Sequence, residues 1–175
     1  MKNIGKKIWG LIERIAYAVL AFLFKILRKE LTDETVAAFM QFVKFGLVGV
    51  SNTVISYLLY ACSLIFFQKM EILPSVDYLV AQVIAFILSV AWSFYWNNKL
   101  VFVVKEGQQR SIWRALLKTY VSYSFTGLFL NSILLVLWVK IFHMSEFLAP
   151  ILNLVISVPI NFLINKFWAF KTKED

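Results

Sequence analysis

Four long stretches of this sequence contain no charged side chain. A membrane-spanning helix needs about 17–25 predominantly apolar residues, and each stretch has that length. Because lipid offers the backbone no hydrogen-bond partner, spanning segments of this kind are expected to be helices. The four predicted spans cover residues 45–67, 78–96, 119–139 and 147–165. They exclude a disordered chain and an ordinary soluble enzyme, and they predict an all-α membrane protein.

The composition supports this fold class. The chain of 175 residues is 61% hydrophobic and 16% charged, whereas soluble domains are nearer half apolar and a quarter charged. We expect two parts: residues 1–38 form an amphipathic helix and its connection, and residues 39–175 form a four-helix transmembrane domain. A short helix from Thr35 is expected to lead into the first span.

The N-terminal segment differs from the four spans. Arg14 and Lys25 enclose its apolar run too closely for a membrane crossing, and Ile15, Val19 and Phe22 recur at helical spacing. This pattern is typical of an amphipathic helix lying in the membrane interface. A signal peptide is the alternative, but no small-residue cleavage site follows the apolar run.

The distribution of basic residues predicts the orientation. Sixteen Lys and Arg residues fall on the side that holds both termini and the 97–118 connection, and two fall on the other side. Because basic residues remain cytoplasmic, both termini are predicted to be inside. The net charge of +8 therefore suggests contact with membrane lipids and argues against a nucleic-acid partner.

The second and fourth predicted spans are related by an internal repeat. When the sequence is shifted by 68 positions, residues 89–106 and 157–174 share seven identities, including Asn97/Asn165 and Phe102/Phe170. The chain is therefore interpreted as two hairpins in parallel repeat, a symmetry found in transporters. The other interpretation is that the duplication only produced a scaffold for helix packing, because a repeat by itself does not imply transport.

Several kinds of chemistry find no support in the sequence. No acidic or basic residue lies within a span, which disfavours proton coupling through a membrane carboxylate. The sequence has no metal-ligand spacing, phosphate-binding loop or nucleophile–base pair. We therefore predict a protein that is not an enzyme and has neither a metal nor a cofactor.

Polar side chains at the cytoplasmic ends of the second and fourth spans are the candidate binding site. Amide and ammonium groups at headgroup level suit a phosphate or a sugar hydroxyl. Ordinary interface anchoring and inter-helix hydrogen bonding are the alternatives. The candidate residues are Ser93, Asn97, Lys99, Asn161, Asn165 and Lys166. Amides deeper in the spans are candidates for a polar path across the membrane: Asn52, Gln82, Asn131 and Asn153.

Three motifs carry a family resemblance. They are the segments 44–49 (KFGLVG), 97–102 (NNKLVF) and 165–170 (NKFWAF). With the four spans, they make residues 39–173 resemble the GtrA-like family, which is related to the membrane domain of some dolichol-phosphate-mannose synthases. The resemblance implies translocation of a polyprenyl-phosphate-linked (undecaprenyl-type) sugar across the bacterial cytoplasmic membrane, for glycosylation of surface polysaccharide or teichoic acid.

The resemblance also implies partners and roles. Lys99 and Lys166, with Lys44 or Arg114, would attract the lipid phosphate, and the amides would bind the sugar. A separate glycosyltransferase is the expected partner. Independently of the resemblance, four helices would make a thin wall for such a path, which suggests a homo-oligomer. The alternative function is a non-catalytic membrane scaffold that recruits such a glycosyltransferase.

Overall fold

The computed structural model describes residues 2–145 and 148–174, with side chains at residue 7 and residues 9–145, 148, 149 and 151–172. The described chain is nearly all helical. The α-helices are α1 (Lys2–Ile26), α2 (Asp33–Lys69), α3 (Asp77–Trp96), α4 (Ile112–Ser124), α5 (Asn131–Val136) and α6 (Ala149–Ile164). π-Helical segments extend or join them at Asn97–Val101, Phe125–Leu130, Leu137–Ile141 and Asn165–Ala169. Two-residue strands, β1 (Gln108–Gln109) and β2 (Lys173–Glu174), pair antiparallel.

Among the described residues, four helices are long and apolar enough to cross a membrane. They cover Asp33–Lys69, Asp77–Val101, Ile112–Ile141 and Ile151–Ala169, so the prediction of an all-α protein with four spans is confirmed. The first three helices extend beyond the predicted spans at both ends, whereas the fourth begins at Ala149, within its predicted span, and continues past the predicted end to Ala169. The first residue of the fourth predicted span, Phe147, lies outside the described residues.

Helix α2 begins earlier than the first predicted span. The hydroxyl of Thr32 accepts a hydrogen bond from the backbone N–H of Thr35 at 3.3 Å, and Asp33 and Glu34 occupy the first turn. Both features favour a helix start. The capping oxygen accepts a hydrogen bond from one of the free N-terminal N–H groups, and the negative charges interact favourably with the helix dipole. The short helix expected from Thr35 and the first span are therefore one continuous helix.

The chain divides into two compact units, Met1–Phe45 and Gly46–Asp175, with the boundary inside α2. In the first unit, α1 buries Ala16 and Leu20 on one face. The ammonium of Lys44 lies over the Trp9 ring, 5.3 Å from its centroid. An adjacent stripe of apolar side chains is exposed: Leu11, Ile15, Val19, Phe22 and Ile26.

Helices α3, α4 and α6 of the second unit pack through small side chains. On α3 and α6 these recur every fourth residue, so they form one row along each helix. Small residues let helix backbones approach closely, which is how helices associate in lipid. The row on α3 comprises Ala81, Ala85, Ser89, Ser93 and Asn97, and buried members of the row on α6 include Ala149, Asn153, Ser157 and Asn165. Each α6 position follows its α3 counterpart by 68 residues, so the repeat is a repeat of packing surface.

Candidate functional site

The first polar cluster joins the end of α3 to α4, and we call it the Asn97 cluster. Asn97 is fully buried, and its Nδ2 donates to Ser93 Oγ at 3.2 Å and to Tyr123 Oη at 3.5 Å. Ser93 Oγ and Tyr123 Oη are themselves 2.6 Å apart. The row of small residues therefore ends in a hydrogen-bonded group of three side chains.

The second cluster joins the end of α6 to α4, and we call it the Asn165 cluster. Asn165 is also fully buried. Its Nδ2 lies 3.0 Å from Ser122 Oγ, 2.9 Å from Asn161 Oδ1 and 2.8 Å from the Asn161 carbonyl. The hydroxyl of Ser122 donates to Asn161 Oδ1 at 2.9 Å. Adjacent residues of α4, Ser122 and Tyr123, thus serve the two repeats separately.

Each cluster contains an acceptor without a donor. Oδ1 of Asn97 and Oδ1 of Asn165 are buried and have no hydrogen-bond partner among the described atoms. A buried acceptor left unpaired costs about 1–3 kcal/mol, and here the cost falls on equivalent atoms of both repeats. An unpaired carbonyl oxygen can accept a hydrogen bond from a hydroxyl. Because both amides are sealed from solvent, a ligand reaches them only if α4 moves away from α3 or α6.

The same asparagines close both helices by π-turns. The backbone N–H of Phe102 donates to the carbonyl of Asn97 at 2.8 Å, and that of Phe170 donates to the carbonyl of Asn165 at 2.8 Å. A π-turn links residues five apart. This geometry gives the physical reason for the repeated spacing of asparagine and phenylalanine in the sequence.

The repeated phenylalanines pack reciprocally. Phe94 stacks on Phe170 with ring centroids 5.5 Å apart, and Phe162 stacks on Phe102 at 6.0 Å. Phe94 corresponds to Phe162 in the repeat, and Phe102 to Phe170, so each contact is the counterpart of the other. In a two-fold arrangement, a contact between two residues is repeated with the equivalent residues exchanged, as it is here. The ends of α3 and α6 are therefore related by an approximate two-fold axis that passes near Phe102 and Phe170.

Arg110 lies at this axis and was not among the predicted site residues. Its Nη1 donates to the Phe170 carbonyl at 3.0 Å, and its Nη2 donates to the Phe102 carbonyl at 2.8 Å and to Asn98 Oδ1. The guanidinium also lies over the Phe170 ring, 5.0 Å from its centroid. Burial lowers the pKa of Arg110 below its usual value, but a guanidinium remains charged in proteins.

Local backbone structure fixes Arg110 in place. It follows strand β1 directly, and β1 pairs with β2 in the register Gln108↔Glu174 and Gln109↔Lys173. The strand pair holds the 97–118 connection beside the C-terminal end of the fourth span. In the sequence, Arg110 is only one of the basic residues that predict the orientation, because its partners are backbone carbonyls that leave no residue pattern.

Lys99 and Lys166 of the predicted set lie over aromatic rings. The ammonium of Lys99, which is exposed, is 5.5 Å from the Tyr95 centroid and donates to Tyr95 Oη at 3.3 Å. The ammonium of Lys166 is 5.7 Å from the Phe167 centroid. Cation–π contacts of this kind are expected to hold charge near the headgroups. Lys118, absent from the predicted set, has a similar contact with the Trp168 ring at 5.2 Å.

The remaining cations and path residues are more dispersed. Arg114 is exposed on α4, and Lys44 lies over Trp9 in the other unit. Asn153 Nδ2 donates to the Asn131 backbone carbonyl at 3.0 Å, so these two path amides are adjacent. The Oδ1 atoms of Asn52, Asn131 and Asn153 are buried without a partner among the described atoms, whereas the Gln82 side chain is exposed.

The sequence also matches a known protein family. Residues 44–170 match the GtrA/DPMS transmembrane domain. The chain belongs to this family. The match begins at Lys44 and ends at Phe170, so it includes both polar clusters, both phenylalanine pairs and Arg110.

A relative supports the same membership. The chain is 32% identical over 111 residues to a Bacillus subtilis (strain 168) protein named uncharacterized membrane protein YwcD. The alignment covers 63% of this chain and 86% of the relative. This protein is therefore a multi-pass membrane protein of the GtrA/DPMS family, and α1 precedes the part that the family shares.

Among the described residues, no three His, Cys, Asp or Glu side chains converge as metal ligands would. The polar groups that do converge are amides and hydroxyls, which bind neutral polar groups by hydrogen bonding. The unpaired amide oxygens among them can accept hydrogen bonds from hydroxyl groups.

Proposed function

We propose that the protein moves a polyprenyl-phosphate-linked monosaccharide from the cytoplasmic to the outer leaflet of a bacterial cytoplasmic membrane, without covalent chemistry. Family membership supports a role in the membrane steps of glycosylation. The observation that carries the proposal is the pair of buried polar clusters. Each repeat places an unpaired amide oxygen, on Asn97 or Asn165, at the same end of the same type of helix.

The head group would be captured at the cytoplasmic ends of α3 and α6. Lys99, Lys166 and Arg114 would supply positive charge for the lipid phosphate. Lys44 is a further candidate for the same role. Sugar hydroxyls would donate to the unpaired oxygens of the two clusters once α4 separates from its neighbours. Hydroxyls are both donors and acceptors, so Ser93 and Asn161 can bind them as well.

The central energetic problem is the transfer of a polar head group through an apolar layer. An unpaired polar group in such surroundings costs several kcal/mol. Unpaired amide oxygens at Asn52, Asn131 and Asn153 would reduce that cost by accepting hydrogen bonds along the way, and Gln82 adds a further amide. The lipid tail would remain in the bilayer, so only the head group needs a polar path.

The proposal is tested in liposomes that contain a polyprenyl-phosphate sugar, by following its appearance in the opposite leaflet. We expect protein-dependent movement, and we expect Asn97→Ala combined with Asn165→Ala to abolish it. Ser132→Ala, which alters an exposed hydroxyl in the third span, is the matched control and should leave the rate unchanged. Unchanged movement in the double variant at equal incorporation would refute the site assignment. No movement with the natural sequence would refute the function.

A second candidate function is a scaffold that recruits a glycosyltransferase. The observation that favours it is the exposed apolar stripe of α1 beside buried Ala16 and Leu20, since a large exposed apolar face can bind a partner. A scaffold should tolerate Asn52→Leu and Asn131→Leu in the spans, whereas a path should not. Thr53→Ala, next to Asn52 and exposed, is the control for both candidate functions.

The proposed function also implies partners. A separate glycosyltransferase would supply the lipid-linked sugar on the cytoplasmic side. A homo-oligomer would provide additional helices around the path, because four helices enclose little volume. Cross-linking in membranes, followed by identification of the linked chains, tests both expectations.

A further inference from the structure

Arg110 is linked to the two polar clusters by two hydrogen bonds of its side chain and two hydrogen bonds between backbone groups. Its guanidinium binds the carbonyls of Phe102 and Phe170. The N–H groups of the same two phenylalanines bind the carbonyls of Asn97 and Asn165. The Arg110 side chain therefore binds the equivalent carbonyls of both repeats, and each carbonyl belongs to the residue whose N–H binds the asparagine of that repeat.

The charge of Arg110 is balanced by the backbone. Among the described side chains, no carboxylate pairs with it, and its acceptors are two carbonyls and the amide oxygen of Asn98. Both carbonyls lie at helix C-terminal ends, where the backbone dipoles sum to about −0.5 elementary charge. Both helix ends therefore favour a positive charge at this position, one from each repeat.

The shape of arginine suits this position and the shape of lysine does not. A guanidinium presents five N–H donors in a planar fork, and can bind separate acceptors on two sides. An ammonium is a compact point charge on a flexible stem. It can approach one carbonyl well, but it does not fix the spacing between two.

We propose that Arg110 is a positioning residue that holds the cytoplasmic ends of the two repeats in register and thereby sets the relative placement of the Asn97 and Asn165 clusters. It acts through Phe102 and Phe170 and does not touch the transported head group. Its effect on transport rests on the proposed function, whereas its effect on the repeat ends does not.

The direct test measures the distance between the repeat ends. Val103 and Lys171 are equivalent in the repeat, follow Phe102 and Phe170, and are both exposed. Spin labels at Val103→Cys and Lys171→Cys, in a Cys62→Ser background, report that distance by pulsed electron spin resonance in liposomes. We expect one narrow distribution with Arg110 present. Arg110→Lys and Arg110→Gln should broaden it by several ångströms.

Two further variants keep the test decisive. Lys105→Gln removes an exposed charge from the same connection and should leave the distribution narrow. Asn98→Ala removes one acceptor but keeps the guanidinium, so it should fold readily and broaden the distribution less than Arg110→Lys. Unchanged distributions in both Arg110→Lys and Asn98→Ala would overturn the proposal.

The transport assay distinguishes a positioning role of Arg110 from a purely structural role. In the liposome assay, Arg110→Lys should lower the rate of sugar-lipid movement about tenfold or more, because small displacements of binding groups have large kinetic effects. A chemical cross-link between the two cysteines introduced by Val103→Cys and Lys171→Cys should restore much of the rate to that variant. If the cross-link does not restore the transport rate although the protein is incorporated normally into the liposomes, the positioning role of Arg110 is contradicted. If the natural sequence moves no lipid, the proposed function fails and the distance measurement still decides the role of Arg110.

Discussion

Phe102 and Phe170 occupy equivalent positions in the two repeats, and their rings stack on each other with centroids 4.6 Å apart. The two side chains are nearly fully buried, at 5% and 3% exposure. Each also stacks on a phenylalanine of the opposite repeat, and each offers its carbonyl to Arg110. The contact therefore joins the two halves of the duplicated domain at the C-terminal ends of the second and fourth spans.

Replacement of these rings should have unequal effects. Phe170→Ala should lower the free energy of unfolding by about 3–5 kcal/mol, and Phe102→Ala by less. The reason is that the Phe170 ring also contacts the Arg110 guanidinium. Unfolding in mixed detergent micelles measures both, and exposed Phe129→Ala is the control. A double-mutant cycle should give a coupling of about 0.5–1.5 kcal/mol; additive effects would contradict the observed stacking.

Removal of the Tyr123 hydroxyl should affect the Asn97 cluster. Tyr123→Phe deletes a group that contacts both Ser93 and Asn97, so we expect a stability loss of about 1 kcal/mol and slower sugar-lipid movement. Tyr120→Phe is the matched control, since its hydroxyl donates to the Ile87 backbone carbonyl at 2.6 Å outside the cluster. It should cost similar stability and leave transport nearly unchanged. Equal transport rates in the two variants would speak against a transport role for the cluster.

The link between Asn131 and Asn153 gives a prediction about the path. Asn153→Leu removes both the donor to the Asn131 carbonyl and an unpaired oxygen. We expect the variant to insert normally and to move the sugar-lipid about tenfold more slowly, a change of about 1.4 kcal/mol in the barrier. Ser132→Ala, exposed beside Asn131, should not change the rate. A normal rate in Asn153→Leu would remove this residue from the path.

The orientation predicted from basic residues is tested by cysteine labelling. In a Cys62→Ser background, Lys105→Cys should react with a membrane-impermeant maleimide only after the cells are permeabilised. His143→Cys, in the connection between the third and fourth spans, should react in intact cells. Both residues are exposed, so a lack of labelling at either position would reflect the membrane barrier and not burial within the protein. The reverse pattern would place both termini outside.

Much of the fold follows from local sequence properties. Four charge-free stretches predict four helices because only a helix satisfies its own backbone in lipid. The repeat of Asn97 and Phe102 at Asn165 and Phe170 is likewise visible in the sequence. The start of α2 does not follow from the apolar pattern. Thr32 caps this helix, which therefore begins at Asp33, twelve residues before the predicted span.

The candidate site was predicted less completely. Residue type and helical spacing paired Ser93 with Asn97 and Asn161 with Asn165, and both pairs are in contact. Their partners on α4 were missed, because the choice between Ser122 and Tyr123 depends on how α4 rotates between α3 and α6. Arg110 was missed for a related reason, since its acceptors are backbone atoms.

The sequence by itself determined the number of spans, their duplication and the polar residues at their ends, because hydrophobicity and helical spacing are properties of each segment alone. Only the tertiary structure decided that the duplicated ends meet at an approximate two-fold axis, that their asparagines are sealed from solvent and that Arg110 binds both halves. Those features depend on the distances between segments far apart in the chain, and such distances are fixed by packing rather than by local pattern.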